Sequence, residues 1–252
     1  MKSNRKRILP FILLFSWVLC VLILKDPGVA QQSNKVTHLE LARILVRELR
    51  PEDTSYQHKQ GYIIWKGENG AEGYESHVDC SGLLNVLFER AYGITPDTFE
   101  KWLGKRRPLA SDYFNAITQE QNFRAITSIT NVKPGDIIAI RYPPGTNENT
   151  GHIMIVNDVP VRRKPSKPEV DGTEQWEVNV IDSSESGHGK TDTRRKPDGS
   201  FGDGVGQGIL RIYSNTNSEI VGYTWSTFAV SDYYDQNTRK LVIGRLQLPP
   251  RL

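Results

Sequence analysis

The residue with the most distinctive chemistry is Cys80, in the segment His77-Val78-Asp79-Cys80-Ser81-Gly82. Asp79 is a typical N-cap, so Cys80 falls in the first turn of the helix that follows it. The N-terminus of a helix carries partial positive charge and free backbone N–H groups, which stabilise a thiolate and can bind an oxyanion. This position predicts a nucleophilic cysteine.

The number of cysteines bears on the same residue. The chain has two, and Cys20 lies in the apolar part of an N-terminal segment typical of exported proteins. Removal of that segment would leave Cys80 without a partner in its own chain, in a compartment that permits disulfides. The count therefore indicates a reactive thiol or an intermolecular disulfide, with a buried, inert side chain as the alternative.

A base that activates Cys80 must come from another part of the chain, since catalytic groups meet in space and not along the sequence. Among the five histidines, His152 is the best candidate, because it opens an apolar strand where an edge position would give the imidazole access. Asp182 ends a row of otherwise apolar residues on one face of the next strand. An imidazole on the adjacent antiparallel strand would pair with this carboxylate, which would then orient it.

Two helices are predicted to position these groups. Residues 37–50 have a capping box, formed by Thr37 and Glu40, followed by apolar residues at helical spacing. Residues 79–92 form a second helix, and its apolar residues cover so much of its circumference that we expect it to be central and buried. The intervening residues 51–78 show no periodicity apart from a short apolar run at residues 62–65, and they are predicted as a loop that lines a part of the protein.

The second half of the chain has the alternation typical of strands. The predicted strands are residues 136–142, 152–158, 176–183, 207–213, 219–228 and 241–246. Helices followed by strands predict an α+β fold, in which the buried helix that carries Cys80 packs on an antiparallel β-sheet. Two long loops, residues 159–175 and 184–206, interrupt the strands, and their role is open.

Four blocks of the sequence occur in the order found in NlpC-type papain-like cysteine peptidases, which the chain resembles over residues 60–213. They are Asp79-Cys80-Ser81-Gly82-Leu83-Leu84, Lys133-Pro134-Gly135-Asp136-Ile137-Ile138, Gly151-His152-Ile153-Met154-Ile155 and Val180-Ile181-Asp182-Ser183-Ser184. The resemblance implies a papain-like fold, with Cys80 as nucleophile, His152 as base and Asp182 as the residue that orients His152. The family more often has a histidine at this third position.

The resemblance also implies a substrate and a location. Most members of the family are exported or cell-surface bacterial hydrolases that cleave peptide bonds in peptidoglycan stem peptides. Their aromatic segment ahead of the nucleophile is matched loosely by Tyr62 and Trp65, one residue longer than usual, and the Tyr62 hydroxyl would help the backbone N–H of Cys80 to hold an oxyanion. Ser81 and His188 are further candidates for contact with substrate. No metal or cofactor is expected.

Other interpretations stay open. The same fold could carry out acyl transfer or amide hydrolysis on another substrate, or serve as a non-catalytic cell-wall-binding module. His77 and Cys80 have the spacing that begins some zinc sites, but a second pair of ligands is missing. His188 is either a solvated loop residue, a contact for substrate or a replacement for Asp182. The basic run of residues 194–196 is predicted as solvated loop charge.

Residues 1–30 are predicted as a secretory signal peptide. They combine basic residues at 2–7, a low-polarity run at 8–24 and the small residues Gly28-Val29-Ala30. The run approaches the length of a membrane span, so an uncleaved N-terminal anchor is the alternative. Residues 31–252 would then be a single papain-like catalytic domain with an N-terminal helical segment, in the periplasm or secreted, and in contact with membrane only through an uncleaved anchor.

Composition and charge exclude several classes of protein. Residues 1–30 hold five of the 32 basic residues and one of the 29 acidic ones, so the rest of the 252-residue chain has a net charge of −1. Such a chain lacks the positive field that nucleic-acid binding usually needs. The 37% of hydrophobic residues and the two cysteines exclude global disorder and a disulfide scaffold. We expect a monomer.

We expect the exported protein to begin at or near Gln31, because Gly28-Val29-Ala30 is the kind of small-residue end at which signal peptides are cleaved. N-terminal sequencing of the extracytoplasmic protein measures this directly. A chain that retains Met1 and stays in the membrane would establish the anchor instead.

Overall fold

The computed structural model describes residues 36–145 and 149–248. The predicted signal segment, residues 1–30, lies outside the described residues, and so does the expected cleavage site after Ala30. In the part of the chain that is described, no helix is both long and apolar enough to span a bilayer.

The two predicted helices are present. Helix α1 (His38–Glu48) begins with the predicted capping box, in which the Thr37 hydroxyl accepts the N–H of Glu40 and the Glu40 carboxylate accepts the N–H of Thr37. Helix α2 (Cys80–Tyr92) has Asp79 as its N-cap and ends at Gly93, which adopts the left-handed conformation. Two more helices, α3 (Pro96–Leu103) and α4 (Ala110–Thr118), lie where the sequence patterns predict no element.

The strands of the described residues group in two sheets. In chain order they are β1 (Thr54–Ser55), β2 (Tyr62–Ile64), β3 (Glu75–His77), β4 (Phe123–Ala125), β5 (Ile137–Arg141), β6 (Gly151–Val156), β7 (Val161–Arg162), β8 (Glu174–Ser184), β9 (Gly204–Ser214), β10 (Ile220–Thr224), β11 (Tyr233–Asp235) and β12 (Leu241–Leu246). All six predicted strands occur, with boundaries shifted by a few residues.

The larger sheet confirms an α+β fold with an antiparallel sheet. Its strand order is β11-β10-β9-β8-β6-β5-β12-β4, with β7 paired to β8, and every neighbouring pair is antiparallel. Strand β6 lies between β5 and β8, so the expected edge position of His152 is wrong. His152 instead lies near the start of this inner strand, at an end of the sheet.

The prediction that residues 51–78 form a loop is wrong. They contain β1, β2 and β3, which make a separate three-stranded sheet in the order β1-β3-β2. These strands have two or three residues each, too few for an alternating pattern to be recognised in the sequence.

Helix α2 is central, as its apolar circumference predicts. Leu83, Leu84, Leu87 and Phe88 are all fully buried in a core that also includes residues of β5, β6 and β8. A second core, with Met154, Val178 and Val180 among its members, covers the opposite face of the same strands. His152 and Asp182 share the parity of this second face, so they continue its apolar rows at one end of the sheet.

The two long loops are both anchored on β9. In the first, Arg211 of β9 is completely buried and donates hydrogen bonds to the carbonyls of Ser166 and Lys167. The second loop, residues 185–203 between β8 and β9, folds back over β9 and buries the side chains of His188, Asp192 and Arg194. This second loop therefore belongs to the interior beside Asp182.

Candidate active site

The Cys80 thiol lies at the start of α2, and its side chain is free of any disulfide and only 5% exposed. Asp79 caps the helix, since its Oδ1 accepts the N–H of Gly82 at 2.6 Å and the hydroxyl of Ser81 at 3.0 Å. Amides in the first turn have no acceptor within the helix, so the N–H of Cys80 is available to a bound oxyanion.

His152 and Asp182 form the contact that the strand parity predicts. The Nε2 atom of His152 is 2.6 Å from Oδ2 of Asp182, and the two residues are 4% and 1% exposed. The other ring nitrogen, Nδ1, is left free of Asp182, and the interaction of the imidazole with Cys80 raises the pKa of His152. Ser183 holds the sheet to the nucleophile's segment, because its hydroxyl donates to the carbonyl of Val78 at 2.6 Å.

The charge state of His152 follows from these neighbours. Burial alone would lower the pKa of His152, but the negative charge at Cys80 and the hydrogen bonds with Asp182 and Cys80 raise it to about 10. At neutral pH the imidazole is therefore protonated. A protonated imidazole beside a thiol can serve as a proton donor.

Asp182 has partners on its other side that the sequence analysis did not find. The Nε2 atom of His188 is 2.9 Å from Oδ2 of Asp182, and Nη1 of Arg194 is 3.0 Å from Oδ1. Burial would raise the pKa of Asp182, but the charge of Arg194, then that of His188 and the two imidazole hydrogen bonds, lower it well below its usual range. The carboxylate is thus ionised although it is buried.

Two expectations for this loop are corrected. His188 is completely buried behind Asp182, so it is neither a solvated residue nor a contact for substrate. Arg194 is 8% exposed and pairs with Asp182 and Asp192, so it is not solvated charge. A basic residue in a polar loop has no periodicity that reveals burial, and only its neighbour pattern Asp192-Thr193-Arg194, with opposite charges two residues apart, hints at a local pair.

Tyr56, and not Tyr62, occupies the position beside the nucleophile. Tyr56 lines the same cleft as Cys80, and burial together with the negative charges at Cys80 and Asp79 raises the pKa of Tyr56. Tyr62 is 45% exposed, and its hydroxyl donates to Glu75 at 3.3 Å. Tyr62 begins a short apolar run in the sequence and Tyr56 does not, so the sequence pattern favoured Tyr62.

Trp65 and Ser81 also differ from expectation. Trp65 is buried, with the guanidinium of Arg90 4.3 Å above its ring. Arg90 is ten residues beyond Cys80, or about 15 Å along the helix, so Trp65 packs at the far end of α2. Ser81 lines the cleft, but its hydroxyl donates to Asp79. Its contribution is to the helix cap.

A small cleft gives access to the thiol. It is lined by Tyr56, His58, Asp79, Cys80, Ser81, Leu109, Ala110, Asn149, Thr150 and Gly151. On the inner side, the Trp225 ring packs on His152 with 4.8 Å between ring centroids and on His188 with 4.5 Å. The indole therefore covers the His152–Asp182 pair, which strengthens their hydrogen bond by excluding water.

The cluster of His152, Asp182 and His188 has atoms that could in principle bind a metal, all within 4.8 Å of one another. The two imidazoles, however, contact the same carboxylate oxygen at 2.6 and 2.9 Å. The other oxygen of Asp182 is beside the positive charge of Arg194, which would repel a cation. The geometry thus favours a hydrogen-bonded network over a metal centre.

The fold and site define an α+β protein with a buried Cys–His–Asp cluster that opens on a narrow cleft. No protein-family model matches the chain, and no solved structure matches it. The chain is 35% identical over 225 residues to the uncharacterized protein R653 of Acanthamoeba polyphaga mimivirus, in a match that covers 86% of this chain and 99% of the viral protein. The chain belongs to the same family as that viral protein.

We expect Cys80→Ala to lower the pH at which His152 loses its proton, because the substitution removes the negative charge and the hydrogen bond that raise the pKa of His152. Nuclear magnetic resonance of the histidine rings, recorded from acid to about pH 10.5, measures this shift. Cys80→Ser keeps a hydrogen-bonding group without the charge and so separates the two contributions.

His38 provides the internal control for this titration. Burial lowers the pKa of His38 to about 4, and its partners are Tyr92 and Gly135, so it should behave identically in all three proteins. An unchanged titration of His152 in Cys80→Ala would show that the thiol and the imidazole are not electrostatically coupled.

Proposed function

We propose that this protein is an exported cysteine hydrolase of papain-like fold that cleaves amide bonds in peptidoglycan stem peptides. The observation that carries the proposal is the arrangement around His152, whose pKa is raised by its interaction with Cys80 and whose Nε2 is 2.6 Å from Asp182. A thiol at a helix N-terminus, a base and an orienting carboxylate are the parts that nucleophilic acyl chemistry requires.

The proposed reaction begins with Cys80 as a thiolate and His152 as an imidazolium. The Cys80 thiolate attacks the carbonyl carbon, and the π electrons of the C=O bond pass to the carbonyl oxygen. The N–H of Cys80 and the hydroxyl of Tyr56 stabilise the negative charge on that oxygen. As the carbonyl re-forms, the C–N bond breaks and His152 donates its proton to the leaving amine. Water then attacks the thioacyl group and gives a proton to His152, and the acid leaves as the thiolate returns.

Two residues, Asp182 and Trp225, orient and shield the His152 ring without contact with the reacting atoms. Asp182 accepts a hydrogen bond from Nε2, so the ring is oriented with Nδ1 toward sulfur. Trp225 lies over the ring and keeps water from the His152–Asp182 contact. Exclusion of water strengthens the contact with Asp182, and this contact offsets the cost of burial and stabilises the imidazolium.

The class of substrate rests on two features of the sequence. The four ordered blocks resemble peptidases that mostly act on peptidoglycan, and the N-terminal segment predicts export to the compartment where this polymer lies. Acyl transfer to an amine and hydrolysis share every step up to the thioacyl group. The acceptor, water or amine, therefore distinguishes the alternative same-fold acyltransferase from the proposed hydrolase.

The decisive experiment incubates the protein with peptidoglycan fragments and identifies the products by mass spectrometry. We expect a cleaved stem peptide that carries one added water. Cys80→Ala should abolish turnover, and His152→Ala should lower it by about 10²- to 10⁴-fold. Asp182→Asn should retain measurable activity, because an amide oxygen still accepts a hydrogen bond from the ring.

Circular dichroism of each variant excludes unfolding as the cause of a loss. Full activity of Cys80→Ala would refute the cysteine mechanism. Binding of fragments without any product would favour the cell-wall-binding module, and a product joined to an added amine would favour the acyltransferase. Wild-type activity in Asp182→Asn would remove Asp182 from the triad.

Tyr56→Phe should lower kcat/KM by about 10²-fold, the usual loss when one oxyanion donor is removed. The rate is measured on one defined stem peptide. Tyr62→Phe is the matched control, since the Tyr62 hydroxyl contacts Glu75 at the surface, and its rate should equal that of the wild type. Equal losses in the two variants would contradict the assignment of Tyr56 as the oxyanion donor.

A further inference from the structure

Behind the triad lies a buried group of charged side chains that the proposed reaction does not yet use. His188, Asp192 and Arg194 come from the loop between β8 and β9, and all three are buried. Arg194 contacts Asp182 through Nη1 at 3.0 Å and Asp192 through Nη2 at 2.9 Å. The N–H of His188 donates to the same Asp192 carboxylate at 2.7 Å. Asp192 thus fixes both loop residues that contact Asp182, His188 and Arg194.

The hydrogen bonds of His188 define its protons. Its Nδ1 is 2.8 Å from the carbonyl oxygen of Trp225, which can only accept, so Nδ1 carries a hydrogen. Its Nε2 is 2.9 Å from the carboxylate of Asp182. An ionised carboxylate can also only accept, so Nε2 carries a hydrogen as well. Both ring nitrogens are protonated, and His188 is a cation.

Strand β9 is shaped to receive these side chains. Gly204, Gly206 and Gly208 alternate along it and leave one face of the strand bare. A methyl group on Gly206 would collide with the Arg194 side chain, and one on Gly208 would collide with Asp192 and His188. Gly206 is the direct cross-strand neighbour of Asp182, so this glycine face lies beside the carboxylate that the three side chains serve.

We propose that His188 and Arg194, held by Asp192 on the glycine face of β9, are positioning residues that keep Asp182 ionised and directed at His152. The inference rests on the proposed function and extends the triad by a buried second half. Charges alternate through the assembly: thiolate, His152 cation, Asp182 anion, His188 and Arg194 cations, Asp192 anion. They sum to zero, which is the condition under which so many buried charges are tolerated.

The zero sum of these charges predicts in which direction the ionisation of Cys80 shifts when one of them is removed. Removal of the Arg194 charge leaves the assembly one unit more negative, so the Cys80 thiolate becomes harder to form and needs a higher pH. The other titratable groups near the thiol are Tyr56, His58 and Asp79, which line the cleft with it, and Tyr142, whose pKa the charge of Cys80 raises. Asp79 is itself paired with Arg107 and with His58.

The test measures the rate of Cys80 alkylation by iodoacetamide against pH, a readout that needs no substrate. In Arg194→Gln the curve should move up by about half a unit to one unit, because the substitution removes the cation that lies 3.0 Å from Asp182. Arg194→Lys keeps the charge and should move it less. Arg195→Gln is the matched control, because Arg195 is the exposed next residue, and its curve should match the wild type.

Histidine nitrogen resonances of the wild-type protein test His188 without any substitution. Both ring nitrogens of His188 should carry a proton, because each lies at hydrogen-bond distance from an acceptor oxygen. A single protonated nitrogen would overturn the proposal. So would an unshifted alkylation curve in a folded Arg194→Gln. Where that variant does not fold, the comparison of Arg194→Lys with Arg195→Gln and the resonances of His188 decide.

These outcomes separate the positioning role from the function itself. Wild-type Cys80 that reacts only at the pH of an ordinary thiol would count against the proposed function. A readily ionised Cys80 with the curve unchanged by Arg194→Gln would leave the hydrolase intact and remove only the positioning role.

Discussion

The carboxylate of Asp182 is the group on which the rest of the site depends. A buried anion is costly unless charges and hydrogen bonds compensate it. Here the compensation comes from His152 on β6 and from His188 and Arg194 in the loop before β9. Separate stretches of chain must therefore converge on one side chain. The bare glycine face of β9 and the indole of Trp225 are the features that make room for this convergence and exclude water from it.

The second requirement is that helix and sheet meet at a fixed distance. Cys80 is positioned by the cap of α2, and His152 by the hydrogen bonds of β6 with β5. The apolar face of α2 packs in the core beneath both strands. The hydroxyl of Ser183, next to Asp182, donates to the carbonyl of Val78, two residues before the nucleophile. One strand thus orients the base and holds the segment that carries the thiol.

The sequence predicted secondary structure correctly where neighbouring residues form a pattern that continues over many positions. The capping box and apolar spacing of α1, the N-cap of α2 and the alternation of β8 all describe residues a few positions apart, and these elements are present. Strand parity also placed His152 and Asp182 together, because antiparallel neighbours with one buried face have few possible pairings. By contrast, β1 to β3 are too short to leave a pattern, so residues 51–78 were expected to be a loop.

The sequence by itself determined α1, α2, six strands of the larger sheet and the α+β class, and it singled out Cys80, His152 and Asp182, because residue type and periodicity carry that information. Tertiary structure alone decided that Tyr56 lies at the thiol while Tyr62 faces solvent, and that His188 and Arg194 are buried behind Asp182. A polar side chain in a loop has no period that reports its burial. Its environment is set by which distant backbone the loop meets, and here that backbone is the glycine face of β9.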